Sequence, residues 1–148
     1  MLDKSLIYLT QTDTTVGFLS SDDKKLANTK RRDSNQKTLQ VVNSFKTLKN
    51  FTRIPKTHRK FIRKSVKTTF IYPNKMAFRV TDKGSSHFPF INKCKVMYST
   101  SANITKQNFD NDFAFNNSDI IVFTGENFEE KSSSHIYKLY KNKKEKIR

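Results

Sequence analysis

The chain has 148 residues, with 29 Lys or Arg against 13 Asp or Glu, a net charge of +16 and only 34% hydrophobic residues. That length suits one domain over residues 1–148; the single cysteine, Cys94, excludes an internal disulfide and a cysteine-based zinc site. No apolar run is long enough for a signal peptide or a membrane span, so a cytoplasmic protein with no membrane partner is expected, and the charge favours a polyanion, either nucleic acid or nucleotide phosphates.

In chain order, residues 5–9 read as a strand, 20–28 as a helix and 39–42 as a strand. Residues 44–50 and 55–64 read as helices, the second opening on Pro55, which a first helical turn tolerates. Residues 68–72 and 76–80 are two strands joined by a tight turn, because Pro73-Asn74 suits its central positions. Strands follow over 95–99, 119–123 and 135–140. These elements predict a mixed sheet with a few helices, α/β or α+β in class. The 13 Phe and 5 Tyr fill its core.

The charge is clustered. Residues 24–67 hold 15 Lys or Arg against the single acid Asp33, and residues 138–148 hold six against Glu145. His58, His87 and His135 are dispersed, so no metal site is expected. With three glycines in all, no Gly-rich loop can wrap a phosphate chain in backbone amides. Any nucleotide must be held by side-chain cations and hydroxyls.

Two short elements supply them. In Lys30-Arg31-Arg32 the outer residues, read as extended, point the same way and can converge on one phosphate. Cations closing a helix by its dipole are an equal alternative. Ser101 and Asn103 are also two apart, after a strand, where a hydroxyl and a carboxamide can hold a ribose, a phosphate oxygen or a base edge. A polar turn is the alternative.

The ordered set of Gln11-Thr12-Asp13-Thr14-Thr15-Val16-Gly17, Lys30-Arg31-Arg32, Ala77-Phe78-Arg79-Val80 and Ser99-Thr100-Ser101-Ala102-Asn103 resembles the YrdC-like family of threonylcarbamoyl-AMP synthases. The resemblance runs from about Leu6 to Arg148. It implies a twisted mixed sheet with flanking helices and a concave basic face. It implies that Lys30, Arg32, Ser101, Asn103 and Arg148 contact ATP, and that Thr12, Arg79, Ser99 and Ser134 contact L-threonine, the arginine taking its carboxylate.

The implied activity is that of a nucleotidyltransferase. L-threonine, bicarbonate and ATP, with Mg²⁺, give threonylcarbamoyl-adenylate and pyrophosphate, for threonylcarbamoyladenosine modification of tRNA by a partner transferase complex. No side chain is expected to act as a catalytic acid, base or nucleophile. The alternative is a non-catalytic member that binds tRNA or double-stranded RNA. The chain departs from the family pattern at Gln11, where the family has Pro, and at Lys75, where some members place a threonine. It also lacks the family's P-G-P element before the central strand, and ten residues before Gln11 are expected to be too few for the family's N-terminal helix.

Overall fold

The computed structural model describes residues 2–33 and 37–148. Among these residues nine strands form one mixed sheet: β1 Tyr8–Gln11, β2 Val16–Ser20, β3 Gln40–Val42, β4 Thr68–Ile71, β5 Ala77–Val80, β6 Val96–Ser101, β7 Ile120–Ile121, β8 His135–Leu139 and β9 Lys144–Lys146. Their spatial order is β7-β1-β2-β6-β3-β5-β4-β8-β9. The pairs β1–β7, β3–β5 and β4–β8 are parallel and the others antiparallel. The helices α1 Asp23–Thr29, α2 Phe45–Leu48, α3 Arg59–Lys64, α4 Phe88–Cys94 and α5 Asn111–Asn116 flank it.

Alternation along the strands sorts the side chains onto two faces. The register places Val41 beside Arg79 and Met97, and Leu19 beside Ser99, on one face. There α4 covers Tyr8, Leu19, Val41 and Met97 with Ile91 and Cys94. On the other face, Leu9 and Phe18 pack with Leu26 of α1 and Ala114 of α5. Farther along the same face, Phe70, Phe78 and Leu139 pack with Leu48 of α2 and Ile62 of α3. Only one face is therefore covered by helices along most of its length. Beyond α4, the other is left for Ser, Thr and Arg.

Four elements were not expected. Val16–Ser20 is a strand because Val16, Phe18 and Leu19 are all buried between β1 and β6. Helix α4 starts with Pro in its first turn and buries Ile91 and Cys94, three apart. Helix α5 is capped by the Asp110 carboxylate, which accepts from the Asp112 and Phe113 amides, and β9 is an exposed Lys-Glu-Lys hairpin strand. The helix expected over 55–64 is split into a 3-10 turn, Lys56–His58, and α3. The turn at Pro73-Asn74 forms as read, closed by the Lys75 amide on the Tyr72 carbonyl at 2.8 Å, with Lys75 at φ 69°.

Of the two readings of Lys30, Arg31 and Arg32, the helix end holds and the extended one does not: they close α1. Asp22 caps its start by accepting from the Lys25 amide. At its end Arg31 has φ 54°, the Arg31 amide donates to Asn28 O, and the Arg32 amide donates to Ala27 O. That pair of bonds is a Schellman closure, whose left-handed position glycine fits best. Relief of backbone strain is expected to make Arg31→Gly more stable by about 0.5–1 kcal/mol. Denaturant titration checks this; a lower midpoint for the variant contradicts the strain.

Candidate functional site

The closure that prevents Lys30 and Arg32 from pointing the same way gives each its own partner. Lys30 is 3% exposed, and its Nζ donates to Ser101 O at 2.8 Å, Ser101 Oγ at 3.1 Å and Asn103 Oδ1 at 3.0 Å. An ammonium has three protons, and all three are taken. Burial, with Arg32 adding repulsion, lowers the Lys30 pKa to about 8, so the group is still charged at neutral pH. Arg32 turns the other way. Its Nη2 donates to Thr38 Oγ1, and Thr38 in turn donates to Asp23.

The polar face of the sheet holds a cavity of about 320 Å³. Thr12, Arg32, Arg79, Ser99, Ser101, Ser134 and Arg148 all line it, so seven of the nine residues singled out in the sequence meet there. Lys30 stands behind this wall, bonded to Ser101. Asn103 lines a smaller adjoining cavity of about 120 Å³, which shares Thr15, Ser101 and Ser133 with the first.

The position of each residue follows from local structure. Thr12 begins the turn between β1 and β2, and its hydroxyl donates to Thr15 O. Gly17 lets that turn lie close to β6: a Cβ there would sit 3.0 Å from Thr100 O and 3.3 Å from Thr12 Cγ2. Ser99 and Ser101 are alternate residues of β6, which runs two residues farther than read, through Ser101. The parallel pairing of β4 with β8 brings Thr69 Oγ1 within 3.0 Å of Ser134 Oγ. Arg148 Nε donates to Ser134 O at 3.0 Å, which fixes the chain's last arginine at the cavity wall. Lys75 is in the exposed β4–β5 turn and does not line the cavity.

Asp13 was quoted in the sequence without a role. Its carboxylate is 4% exposed and lies 3.6 Å from Nε of the equally buried Arg79. Burial lowers the Arg79 pKa; Asp13 opposes that shift and Arg148 adds to it. The available signal was that Asp13 is the sole acid between Asp3 and Asp22, set among hydroxyl residues. Thr38 and Lys37 also line the cavity and carried no comparable signal. Among the described residues no carboxylate lines it, and no group of three or more His, Cys, Asp or Glu could hold a metal ion. Among the same residues no helix is long and apolar enough to cross a membrane.

No protein-family model matches the sequence, and no curated protein sequence matches it. Solved structures do. A variant of P. abyssi Sua5 superposes with a TM-score of 0.79 at 15% identity over 97% of this chain. P. abyssi Sua5 complexed with L-threonine gives 0.76 at 13% identity, also over 97%. MTH1692 from Methanobacterium thermoautotrophicum gives 0.71 at 16% identity, over 97% of this chain and 80% of that one. The chain spans about half the length of the Sua5 structures, 49% and 50%. It has the YrdC-like fold.

His87 is fully buried, within electrostatic reach of Asp13 and Arg79. Its Nδ1 meets Ser85 Oγ at 2.5 Å, and its Nε2 has no hydrogen-bond partner. Burial, reinforced by Arg79 and opposed by Asp13 and Glu126, lowers its pKa to about 4 from 6.5. The unfolded chain therefore binds a proton that the folded chain refuses between those values. Stability is complete above pH 6.5 and falls towards pH 4, by at most about 3 kcal/mol from this group. Unfolding titrations at pH 7 and pH 4.5 should show a smaller loss for His87→Gln than for the wild type. Equal losses would remove His87 as the cause.

Proposed function

We propose that the protein is a threonylcarbamoyl-AMP synthase, a nucleotidyltransferase that joins L-threonine, bicarbonate and ATP with release of pyrophosphate. The observation that carries this reading is the meeting of Thr12, Arg32, Arg79, Ser99, Ser101, Ser134 and Arg148, drawn from distant parts of the chain, around one cavity. A structure of the same fold, P. abyssi Sua5, is complexed with L-threonine, which supports an amino-acid ligand.

The chemistry asks for positioning and charge rather than proton transfer. The threonine amine adds to bicarbonate and water leaves, giving a carbamate. A carbamate oxygen then attacks the α-phosphorus, and pyrophosphate departs. Arg79 can grip the threonine carboxylate with a planar guanidinium, while the hydroxyls of Thr12, Ser99 and Ser134 bind its polar groups. Arg32, Arg148 and the Lys30-braced pair Ser101 and Asn103 stabilise the polyphosphate as negative charge shifts onto the leaving group. Among the described residues the walls offer cations and hydroxyls but no carboxylate. Mg²⁺ therefore enters on the phosphates of ATP, as part of the substrate.

Pyrophosphate release is expected with ATP, bicarbonate and L-threonine together, and not when threonine is omitted. Arg32→Ala should lower the rate by roughly 10²-fold or more. Arg79→Lys should raise KM for threonine by about tenfold with little change in KM for ATP, because a point charge replaces a two-pronged grip. Turnover that is indifferent to both substitutions rejects the assignment.

A second reading, binding of tRNA or double-stranded RNA without catalysis, is favoured by where the two basic clusters meet. His58 Nε2 lies 2.8 Å from Tyr140 O, and Lys144 Nζ is 4.7 Å from the Phe61 ring centre. These contacts join the 3-10 turn and α3 to the β8–β9 hairpin, uniting Arg59, Lys60, Arg63 and Lys64 with Lys143, Lys144 and Lys146 at one end of the sheet. RNA affinity there should fall steeply with salt, with a log–log slope near −0.7 to −0.9 per phosphate neutralised. Tight, salt-sensitive RNA binding by a protein that releases no pyrophosphate selects this reading over the enzyme.

A further inference from the structure

A segment without regular structure, residues 122–134, joins β7 to β8, and its last residues reach the cavity described above. Its path begins on the opposite face of the sheet. Gln11 pairs with Val16, and Val16 packs with Leu9 and Phe18 on the helix-covered side, so the Gln11 side chain points away from the cavity. It is wholly buried there. Gln11 Oε1 accepts from the Glu129 amide at 2.9 Å, and the Val16 amide donates to the Glu129 carbonyl at 3.4 Å. Two residues on, the Lys131 amide donates to Thr15 Oγ1 at 3.1 Å, in the β1–β2 turn. Two further on, Ser133 lines the cavity together with Thr15. The segment is therefore a strap that runs around the end of the β1–β2 hairpin, from the apolar face to the polar one.

The anchors of the strap are unequal. Phe128 packs on the Leu9 and Phe18 cluster, which holds the strap by area but does not set its level along the strand. The ion pairs of Lys131 with Glu126 and Glu129 are exposed and stay within the strap, so they do not tie it to the sheet. Ser134 is placed from the other side, by Thr69 Oγ1 at 3.0 Å and by Arg148 Nε on its carbonyl at 3.0 Å. Ser133 follows the strap. The Gln11–Glu129 bond is directional, and its acceptor is sealed from competing water. At the other end of the carboxamide, Gln11 Nε2 has no hydrogen-bond partner. That is a cost, and packing alone would be served better by an apolar side chain of the same length. Proline, which the resembled pattern has here, carries no side-chain acceptor, so the bond is this chain's own. We propose that Gln11 is a positioning residue that, through the Glu129 amide, sets the level of the strap and places Ser133 and the Thr12 turn around the bound amino acid. An extended chain advances about 3.3 Å per residue, so a slip of one residue carries Ser133 out of the wall. The inference rests on the synthase reading for the identity of that ligand.

The test uses the whole chain and Gln11→Met, which keeps the length of the side chain and removes both the acceptor and the unpaired amide. Its thermal midpoint should stay close to that of the wild type. Amide hydrogen exchange over residues 126–133 should quicken by about fivefold or more, with exchange in β1 and β2 unchanged. Calorimetry should show L-threonine bound about fivefold more weakly, with ATP affinity changed by less than about twofold. Glu129→Pro removes the same bond from the exposed strap, leaving β1 untouched, and should give the same loss for threonine. Unchanged strap exchange in Gln11→Met overturns the proposal. So does an equal weakening of threonine and ATP in both variants, which marks a general loss of structure. A wild type that binds no threonine refutes the synthase reading instead, and strap exchange then still decides whether Gln11 is the anchor.

Discussion

The ammonium of Lys30 holds the site together. It lies at the end of α1, yet all three of its protons go to Ser101 and Asn103, more than seventy positions away in sequence. Those bonds fix the end of β6 and the first residues of the following loop against α1, and they set the back wall of the cavity. A hydrogen bond to a charged group is worth more than a neutral one. Lys30 therefore acts on any ligand chiefly through the groups it braces. Arg32, whose guanidinium lines the cavity itself, is the more direct cation.

The sheet explains how one small domain carries both a core and a polar site. Period-two alternation lets Phe70 and Phe78 build the helix-covered face while Thr69 and Arg79 serve the other. A one-residue slip in β4 or β5 would exchange these faces, placing phenyl rings in the cavity and burying Arg79 under α2 and α3. The cross-strand pair Phe70–Phe78 resists that slip through the area it keeps from water.

Much of this was legible in the sequence. The β-branched and aromatic runs marked seven of the strands within a few residues, and Pro73-Asn74 marked a turn that forms as read. The Ser99–Asn103 and Lys30–Arg32 segments were singled out as partners, and they touch. What could not be read was local geometry set by distant contacts. Lys30 to Arg32 read equally as extended or as a helix end, because nothing in three basic residues signals a left-handed closure at Arg31. Val16–Ser20 lacked polar alternation because both of its faces are buried, and helix α4 hides in a Phe-Pro-Phe-Ile run whose spacing is too short to reveal a period. Asp13 gave only an isolated carboxylate; its meaning appears once β5 brings Arg79 to it.

That ion pair decides what the cavity can accept. A buried guanidinium with no anion nearby is strongly disfavoured, and Asp13 relieves Arg79 without cancelling the rest. Arg32, Lys37 and Arg148 also line the cavity, and among the described residues no carboxylate does. The remaining positive charge is matched neither by a neutral ligand nor by a zwitterion alone, since an amino acid brings one carboxylate and one ammonium. Placing threonine on Arg79 would leave the Arg32 and Arg148 side unmatched, and a polyphosphate is the kind of group that completes it. The charge arrangement is consistent in sign with the proposed reaction, which brings an amino acid and a polyphosphate together.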